Sequence, residues 1–232
     1  MWQEFINNTI KSGYKIPRFP IWAMEFGATY NFKEKAPAYQ THEELIGKKG
    51  KLGQVVNGIT KEDCLLMLPN YAQTDKSEVF PKWKIRYIEQ NREFYAANKV
   101  WLDDWIKKVI SFDNSHLKLE WNCGDAEPTM QDKIIQFRAS GLRVKAPTFS
   151  PTLNLVGTQV PILPWIKLPN REGYGRYMTV REAAKLQGMD HLKFGNDIFQ
   201  LSQTRTYEAL GNAVNVIIVK EIAKSNVLRI HG

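Results

Sequence analysis

Cysteine and histidine are scarce in this chain of 232 residues: Cys64 and Cys123 are its two cysteines, and His42, His116, His191 and His231 its four histidines. Two thiols are too few for a disulfide framework or for a zinc site built from cysteine alone. The histidines show no metal-ligand spacing, so no metal is expected. Long apolar runs are also missing. Charges or prolines interrupt every hydrophobic stretch, which argues against a membrane span. The opening MWQEFINNTIKSGYK lacks an apolar core followed by small residues, so it does not read as a signal peptide. A reduced, cytoplasmic location follows as the default.

What is present is an ordinary globular composition, with 43% hydrophobic and 24% charged residues. The length suits one large domain or two small ones. Net charge is +8, and it is unevenly spread. Lys133 to Lys185 holds nine Lys/Arg against two Asp/Glu, an excess of +7, whereas the first 116 residues carry only +3. A concentrated positive segment suits a polyanion, because each neutralised phosphate releases a condensed counterion. A solvated basic surface is the alternative, and charge alone does not choose between them.

Pro17, Pro20 and Pro37 break the opening region, so Phe19–Tyr30 is expected to be extended or irregular. Its aromatics, Phe19, Trp22, Phe26 and Tyr30, together with Phe32, suggest a small core. Four glycines between Gly47 and Gly58, with Lys48, Lys49 and Lys51, form either a loop near phosphate or a surface turn. No glycine-lysine-serine/threonine ending makes it a P-loop. Trp101, Leu102, Trp105, Ile106, Val109 and Ile110 draw one apolar stripe, predicting a helix within Lys82–Ile110 that an earlier helix leads into. Those tryptophans read as core first and as base-stacking groups second. Strands are expected at Ile134–Phe137, Leu142–Val144 and Leu153–Val156.

Two helices are expected to close the chain. Thr179–Val180–Arg181–Glu182 is a capping-box pattern, with Gly188 as the left-handed terminator of the helix it starts. The last helix is expected to follow Gly211–Asn212, with Val214, Ile217, Ile218 and Ile222 on its buried side.

The segment RYMTVREAAKLQGM (Arg176 to Met189) resembles the ninth conserved motif of DNA (cytosine-5) methyltransferases, and YEALGNAVNVIIVKEIA (Tyr207 to Ala223) is similar to the tenth. Thr179, Arg181, Glu182, Leu186, Gln187, Gly188, Gly211, Asn212 and Val214 are in place, in the family's order and spacing. Ile134 to Ile162 resembles the segment that leads into the ninth motif in one bacterial branch, and PIWAMEFGATY is a looser match. Met189–Asp190 departs from the usual Phe-Pro, which concerns only the local turn. QNREF (Gln90 to Phe94) mimics the eighth motif but precedes a helix instead of a strand, so it reads as coincidence or as part of the recognition region.

The family's reaction needs a proline-cysteine dipeptide for the thiolate that attacks cytosine C6, a glutamate from E-N-V, and a glycine-rich F-x-G-x-G turn for S-adenosylmethionine. None occurs here: Asp63 precedes Cys64, Asn122 precedes Cys123, and FGAT (Phe26 to Thr29) has a single glycine. Cys64, just before Leu65–Leu66, reads as a buried small hydrophobe, and Cys123 as the more exposed of the pair. The resemblance therefore implies a C-terminal part of a methyltransferase, inactive alone and without a catalytic residue of its own.

The expected fold is α+β: a target-recognition region over 1–175, then C-terminal motifs over 176–232 that complete a doubly wound α/β methyltransferase domain. The implied cofactor is S-adenosylmethionine, bound only with a complementing catalytic chain, with Asn212, Ala213 and Val214 lining one side of its pocket. The implied partners are double-stranded DNA and a catalytic subunit, in the setting of a restriction–modification system. Arg138, Ser140, Arg143 and Lys145 are candidate DNA contacts, with internal pairing of one of the two arginines to a carboxylate as the alternative. Lys167, Arg171 and Arg176 suit phosphates. Arg181 and Glu182 read as structural anchors. A chain that starts with its own methionine fits a split enzyme or a truncated one. Without its partner, the last helix is expected to expose its apolar face and to favour self-association. A catalytically inactive DNA-binding relic is the alternative function.

Overall fold

The computed structural model describes residues 1–74, 76–152, 159–169, 172–193 and 202–230, and the side chains of these up to 226. The chain divides into two compact units. The first holds Met1–Thr129 and Ala139–Arg143, and the second Met130–Arg138 and Val144–Gly232. The motif boundary at 175/176 therefore runs inside the second unit.

In the first unit, helix α1 (Trp2–Lys11) buries Trp2, Phe5, Ile6 and Thr9, one face at helical spacing. That face packs against α5 (Lys82–Val109) through aromatic edges: Phe5 lies 5.2 Å from Trp105 and 5.8 Å from Phe94, ring centre to ring centre. Strand β1 (Ile21–Trp22) and the turn Ala23–Glu25 follow, and Trp22, Phe26, Tyr30 and Phe32 are all buried, as the sequence suggests. Phe19 is only half-buried.

Helices α2 (His42–Leu45) and α3 (Lys61–Leu66) each begin with a capping box, from Thr41 and Thr60, and α4 (Asn70–Gln73) is a single turn. The glycine-rich stretch between α2 and α3 folds into a close turn. Lys49 bridges to Val55 and the Lys51 ammonium donates to the Phe112 carbonyl at 3.1 Å.

The two helices expected between Lys82 and Ile110 are one run of 28 residues, with a break in helical geometry at Asn98 (φ −120°, ψ 16°). The Asn98 side chain donates to the Phe94 carbonyl and accepts from Trp101 Nε1, local bonds that compete with the helical ladder. Leu102, Trp105, Ile106 and Val109 are buried, while Ile110 is exposed at the helix end. The QNREF residues lie on α5 as scaffold. Asn91 Oδ1 accepts from the Trp22 backbone N–H (2.7 Å), and its Nδ2 donates to Pro20 and Tyr87 carbonyls.

Strand β2 (Lys118–Asn122) pairs antiparallel with β1, Ile21 opposite Leu119. Strands β3 (Ile134–Arg138) and β4 (Gly141–Lys145) match the expected segments within a residue or two. The first unit carries the strand order β1-β2-β4, and the second carries β4-β3-β5-β6, with β4 divided between them. Gly141 opens β4 where a Cβ would stand 2.4 Å from that of Lys118, so only glycine fits. The expected strand at Leu153–Val156 lies outside the described residues.

In the second unit, β5 (Ile162–Lys167) pairs antiparallel with β3 and with β6 (Tyr174–Tyr177). Helix α6 (Val180–Leu186) follows, then α7 (Gln203–Asn212) and α8 (Val216–Ile230). Val160, Met178, Ala183, Ala184, Tyr207 and Leu210 make this unit's core.

Helix α7 is an addition to the two helices expected. Gly211 and Asn212 are its last residues instead of the approach to the final helix, which starts at Val216. Val214, Ile217, Ile218 and Ile222, assigned to the buried side of the last helix, are exposed, as expected of that apolar face in the chain by itself. Among the described residues, nothing covers this apolar stripe. No described helix is long and apolar enough to cross a membrane.

Candidate functional site

The segments that resemble the ninth and tenth motifs meet in the second unit. Thr179 caps α6 by accepting from the Glu182 backbone N–H, while the Glu182 carboxylate accepts from the Thr179 N–H (2.8 Å). The same carboxylate takes both Arg176 Nη1 (2.8 Å) and Nη2 (2.7 Å), a two-pronged ion pair. The guanidinium, then the Thr179 groups, hold the Glu182 acid down at about 2 against the opposing pull of partial burial. Glu182 is thus held by Arg176. Arg181 points to solvent.

At the other end of α6, Gln187 Nε2 donates to the Leu210 carbonyl (3.0 Å) and to that of Ala213 (3.4 Å). The Gln187 carbonyl accepts from the Val216 N–H (3.2 Å). Gly188 has φ +71°, and a Cβ there would lie 2.8 Å from Ile217 Cγ1, so the expected left-handed terminator is also a close packing point. Asn215 completes the clasp. Its Nδ2 donates to the Leu186 carbonyl (2.8 Å) and its Oδ1 accepts from the N–H groups of Ile217 and Ile218, starting α8. Tyr207 donates its hydroxyl to the Met178 carbonyl, and burial raises that hydroxyl's pKa.

Two of these residues were not singled out in the sequence. Asn215 carried a usable signal, an N-cap residue directly before an apolar run. Tyr207 gave none, because its partner carbonyl is 29 positions away.

Of the residues expected at the cofactor, Asn212 and Val214 are exposed and Ala213 is half-buried. A ligand the size of S-adenosylmethionine needs walls on several sides, so these residues do not hold it by themselves. A small pocket of about 160 Å³ in the same unit is lined by Val160, Tyr177, Gln203, Thr204 and Tyr207, and by none of those three.

The expected DNA contacts fall into different situations. Arg143 is taken up by Glu120, with Nε and Nη2 at 3.1 and 3.0 Å from one carboxylate oxygen, the internal pairing allowed for one of the two arginines. Arg176 is committed to Glu182. Arg138 is half-buried at the end of β3, and Ser140 is exposed. Lys145 Nζ sits 3.4 Å over the Phe149 ring. Lys167 is exposed, and Arg171 lies outside the described residues.

Cys64 is fully buried, as expected, and Cys123, expected to be the more exposed, is buried as well. Among the described residues, no cluster of His, Cys, Asp and Glu suits a metal ion.

Comparison with known proteins adds two findings. The profile described as C-5 cytosine-specific DNA methylase matches residues 29–227, a span that begins well before the motif segments and includes them. The chain is also 33% identical over 157 residues to the Type II methyltransferase M.AluI of Cellulosimicrobium cellulans. That match takes in 66% of this chain and 27% of the relative, so the chain spans about a quarter of that protein's length. No solved structure matches it.

Proposed function

The chain belongs to the C-5 cytosine-specific DNA methylase family, and from that premise we propose that it supplies the target-recognition and C-terminal portion of a DNA (cytosine-5) methyltransferase. The catalytic portion comes from a separate segment or subunit that carries the cysteine nucleophile, the E-N-V glutamate and the glycine-rich turn. The observation that carries this proposal is the clasp of Gln187, Gly188 and Asn215, which fixes the start of α8 while leaving Val216, Ile217, Ile218, Val219 and Ile222 in solvent. A helix so firmly started and so apolar suits docking on another apolar surface. The catalytic segment is the occupant proposed for it.

In the assembled enzyme the family's cofactor, S-adenosylmethionine, supplies the methyl group, and Asn212, Ala213 and Val214 form one wall beside it. This chain's own contribution is to bind and orient DNA. Lys167 and Arg181 are exposed and suit phosphates, as do Arg138, Ser140 and Lys145 on and beside the β3–β4 segment. Arg143, held by Glu120, presents a guanidinium of fixed orientation. Arg176 is reassigned from phosphate contact to the support of α6.

The test is transfer of a labelled methyl group from S-adenosylmethionine to DNA, with this chain alone and with a chain bearing the three missing motifs. Activity only in the mixture is expected. Activity from the chain alone overturns the proposal. DNA binding without activity in either case favours a binding relic, and concentration-dependent dimers that the second chain does not disrupt favour self-association through α8.

A further inference from the structure

Where α5 begins beside β1 and β2, the first unit holds two side chains that its own packing does not satisfy. Trp83, in the first turn of α5, is 54% exposed. It is nevertheless braced, 6.4 Å from the Trp22 ring and 5.8 Å from that of Tyr87, centre to centre. Both neighbours meet it at steep angles, 85° and 66°, and among the described residues no ring lies flat on the indole. Tyr71 of α4 extends the cluster, 4.5 Å from Trp22.

The second is Lys118 of β2. It stands directly across from Trp22 in the β1–β2 pair, so the two share a face of the sheet. Its ammonium lies 5.7 Å from the Trp22 ring centre and 5.3 Å from that of Tyr71, and it makes no ion pair among the described residues. The side chain is half-buried, and burial lowers its pKa with no carboxylate to oppose the shift. A partly desolvated cation without an anion is costly to keep.

The carboxylates of this region are engaged elsewhere. Glu25 serves Tyr30, Tyr71 and Arg92, Glu89 pairs with Lys33, and Glu120 with Arg143. Glu78 is exposed on the loop before α5, as is Lys76. Lys82 and Arg86 are exposed one helical turn apart, next to the Trp83–Tyr87 stripe, and neither makes an ion pair among the described residues. The Lys118 ammonium and the Trp83 indole are each about 6 Å from the Trp22 ring, so a short stretch of single strand reaches both.

An apolar partner would cover the indole and leave Lys118 without an anion, and a free anion would do the reverse. A nucleotide brings a flat ring and a phosphate together. We propose that this face binds an unpaired segment of DNA, with one base stacked on Trp83 and the phosphates held by Lys118, Lys82 and Arg86. The base must be unpaired because stacking within a duplex covers both of its faces. The inference goes beyond the proposed function, which takes DNA through the cations on and beside the β3–β4 segment, and it rests on that reading only in naming DNA.

The test follows the fluorescence anisotropy of a labelled oligothymidylate titrated with the full chain over a range of salt. An abasic strand of the same length, an oligouridylate and duplex DNA are run in parallel. The oligothymidylate is expected to bind about tenfold more tightly than the abasic strand. Trp83→Ala should abolish that preference, and Trp83→Phe should keep most of it. Lys118→Met keeps the aliphatic stem and removes the uncompensated charge. It is expected to reduce the slope of log affinity against log salt by about 0.7, without lowering the melting temperature. Should Trp83→Ala fail to fold, that slope remains an independent measure.

Equal affinity for the base-bearing and abasic strands overturns the proposal in favour of a plain cationic surface. An unchanged salt slope in Lys118→Met overturns it for the phosphate contact, and tighter binding of oligouridylate overturns the choice of DNA. No strand bound, with dimers that Trp83→Ala disperses, gives the face to a second copy of the chain. Duplex binding without oligothymidylate binding overturns the inference and leaves the proposed function standing, and the opposite pattern has the opposite consequence.

Discussion

In the first unit a carboxylate is completely buried, while in the second a row of aliphatic side chains stands in water. Glu25 has no exposed surface, yet its oxygens accept from the Tyr30 and Tyr71 hydroxyls and from Arg92 Nε. Burial, and next the Glu25 charge, raise the pKa of both tyrosines well above the ordinary value, so each stays protonated as a donor. Helix α8 shows the reverse: Ile217 and Ile218 are more than half exposed although nothing about them favours water. Side-chain polarity does not decide what is buried here. The partners at hand do: Glu25 is met by three donors, whereas among the described residues nothing covers the aliphatic row of α8.

The contrast breaks most severely at Glu25. Glu25→Ala strands the Arg92 guanidinium and two buried hydroxyls, and is expected to cost about 3–5 kcal/mol. Urea unfolding measures it, and a midpoint close to that of the parent chain would mean that water replaces the carboxylate without penalty.

Gly188→Ala comes next. It places a Cβ at positive φ against Ile217, with an expected loss of about 1–3 kcal/mol. The loss should appear as faster amide hydrogen exchange at Ile217 and Ile218, with the amides of α1 unchanged.

Glu182→Gln tests the support under α6, and its effect depends on pH. The Glu182 acid is lowered from its ordinary 4.5 to about 2, so its stabilisation is full above about pH 4.5 and is lost as pH falls through about 2. The side chain is 39% exposed, and screening holds the effect below about 1 kcal/mol. Melting temperatures of parent and variant should differ at pH 6 and converge towards pH 2; a constant gap would sink the assignment.

The smallest expected effect sharpens the contrast. The paired change Ile218→Ser and Ile222→Ser removes exposed apolar groups and should alter the isolated chain's stability by less than about 0.5 kcal/mol. The same variant should lose most of its stimulation of the catalytic chain in the methyl-transfer assay.

Local chemistry made parts of this structure legible in advance. A threonine three residues before a glutamate announced the cap of α6, Gly188 announced its end, and the spacing of Leu102, Trp105, Ile106 and Val109 announced the buried side of α5. What stayed hidden depends on distance along the chain. Glu25 meets Arg92 across 67 positions, and Gln187 meets Leu210 across 23, and no periodicity encodes either meeting. The position of Gly211 misled for a related reason. A glycine near a helix reads as a boundary, and here it sits inside α7 because Tyr207 and Leu210 of that helix are held in the core. Arg176 was legible as a cation but not as one already claimed by Glu182, whereas pairing to a carboxylate was an open alternative for Arg143.

Burial of Cys64 and Cys123 has a practical consequence for reconstitution. Thiol-directed alkylating reagents meet a fully buried Cys64 and a Cys123 only 8% exposed while the polypeptide is folded, so reaction with either should be slow. In a mixture of two chains, inactivation by such a reagent would report on the other chain's nucleophile. The same slow reaction leaves this polypeptide free to take a single engineered surface cysteine, and with it a fluorophore, against a low labelled background.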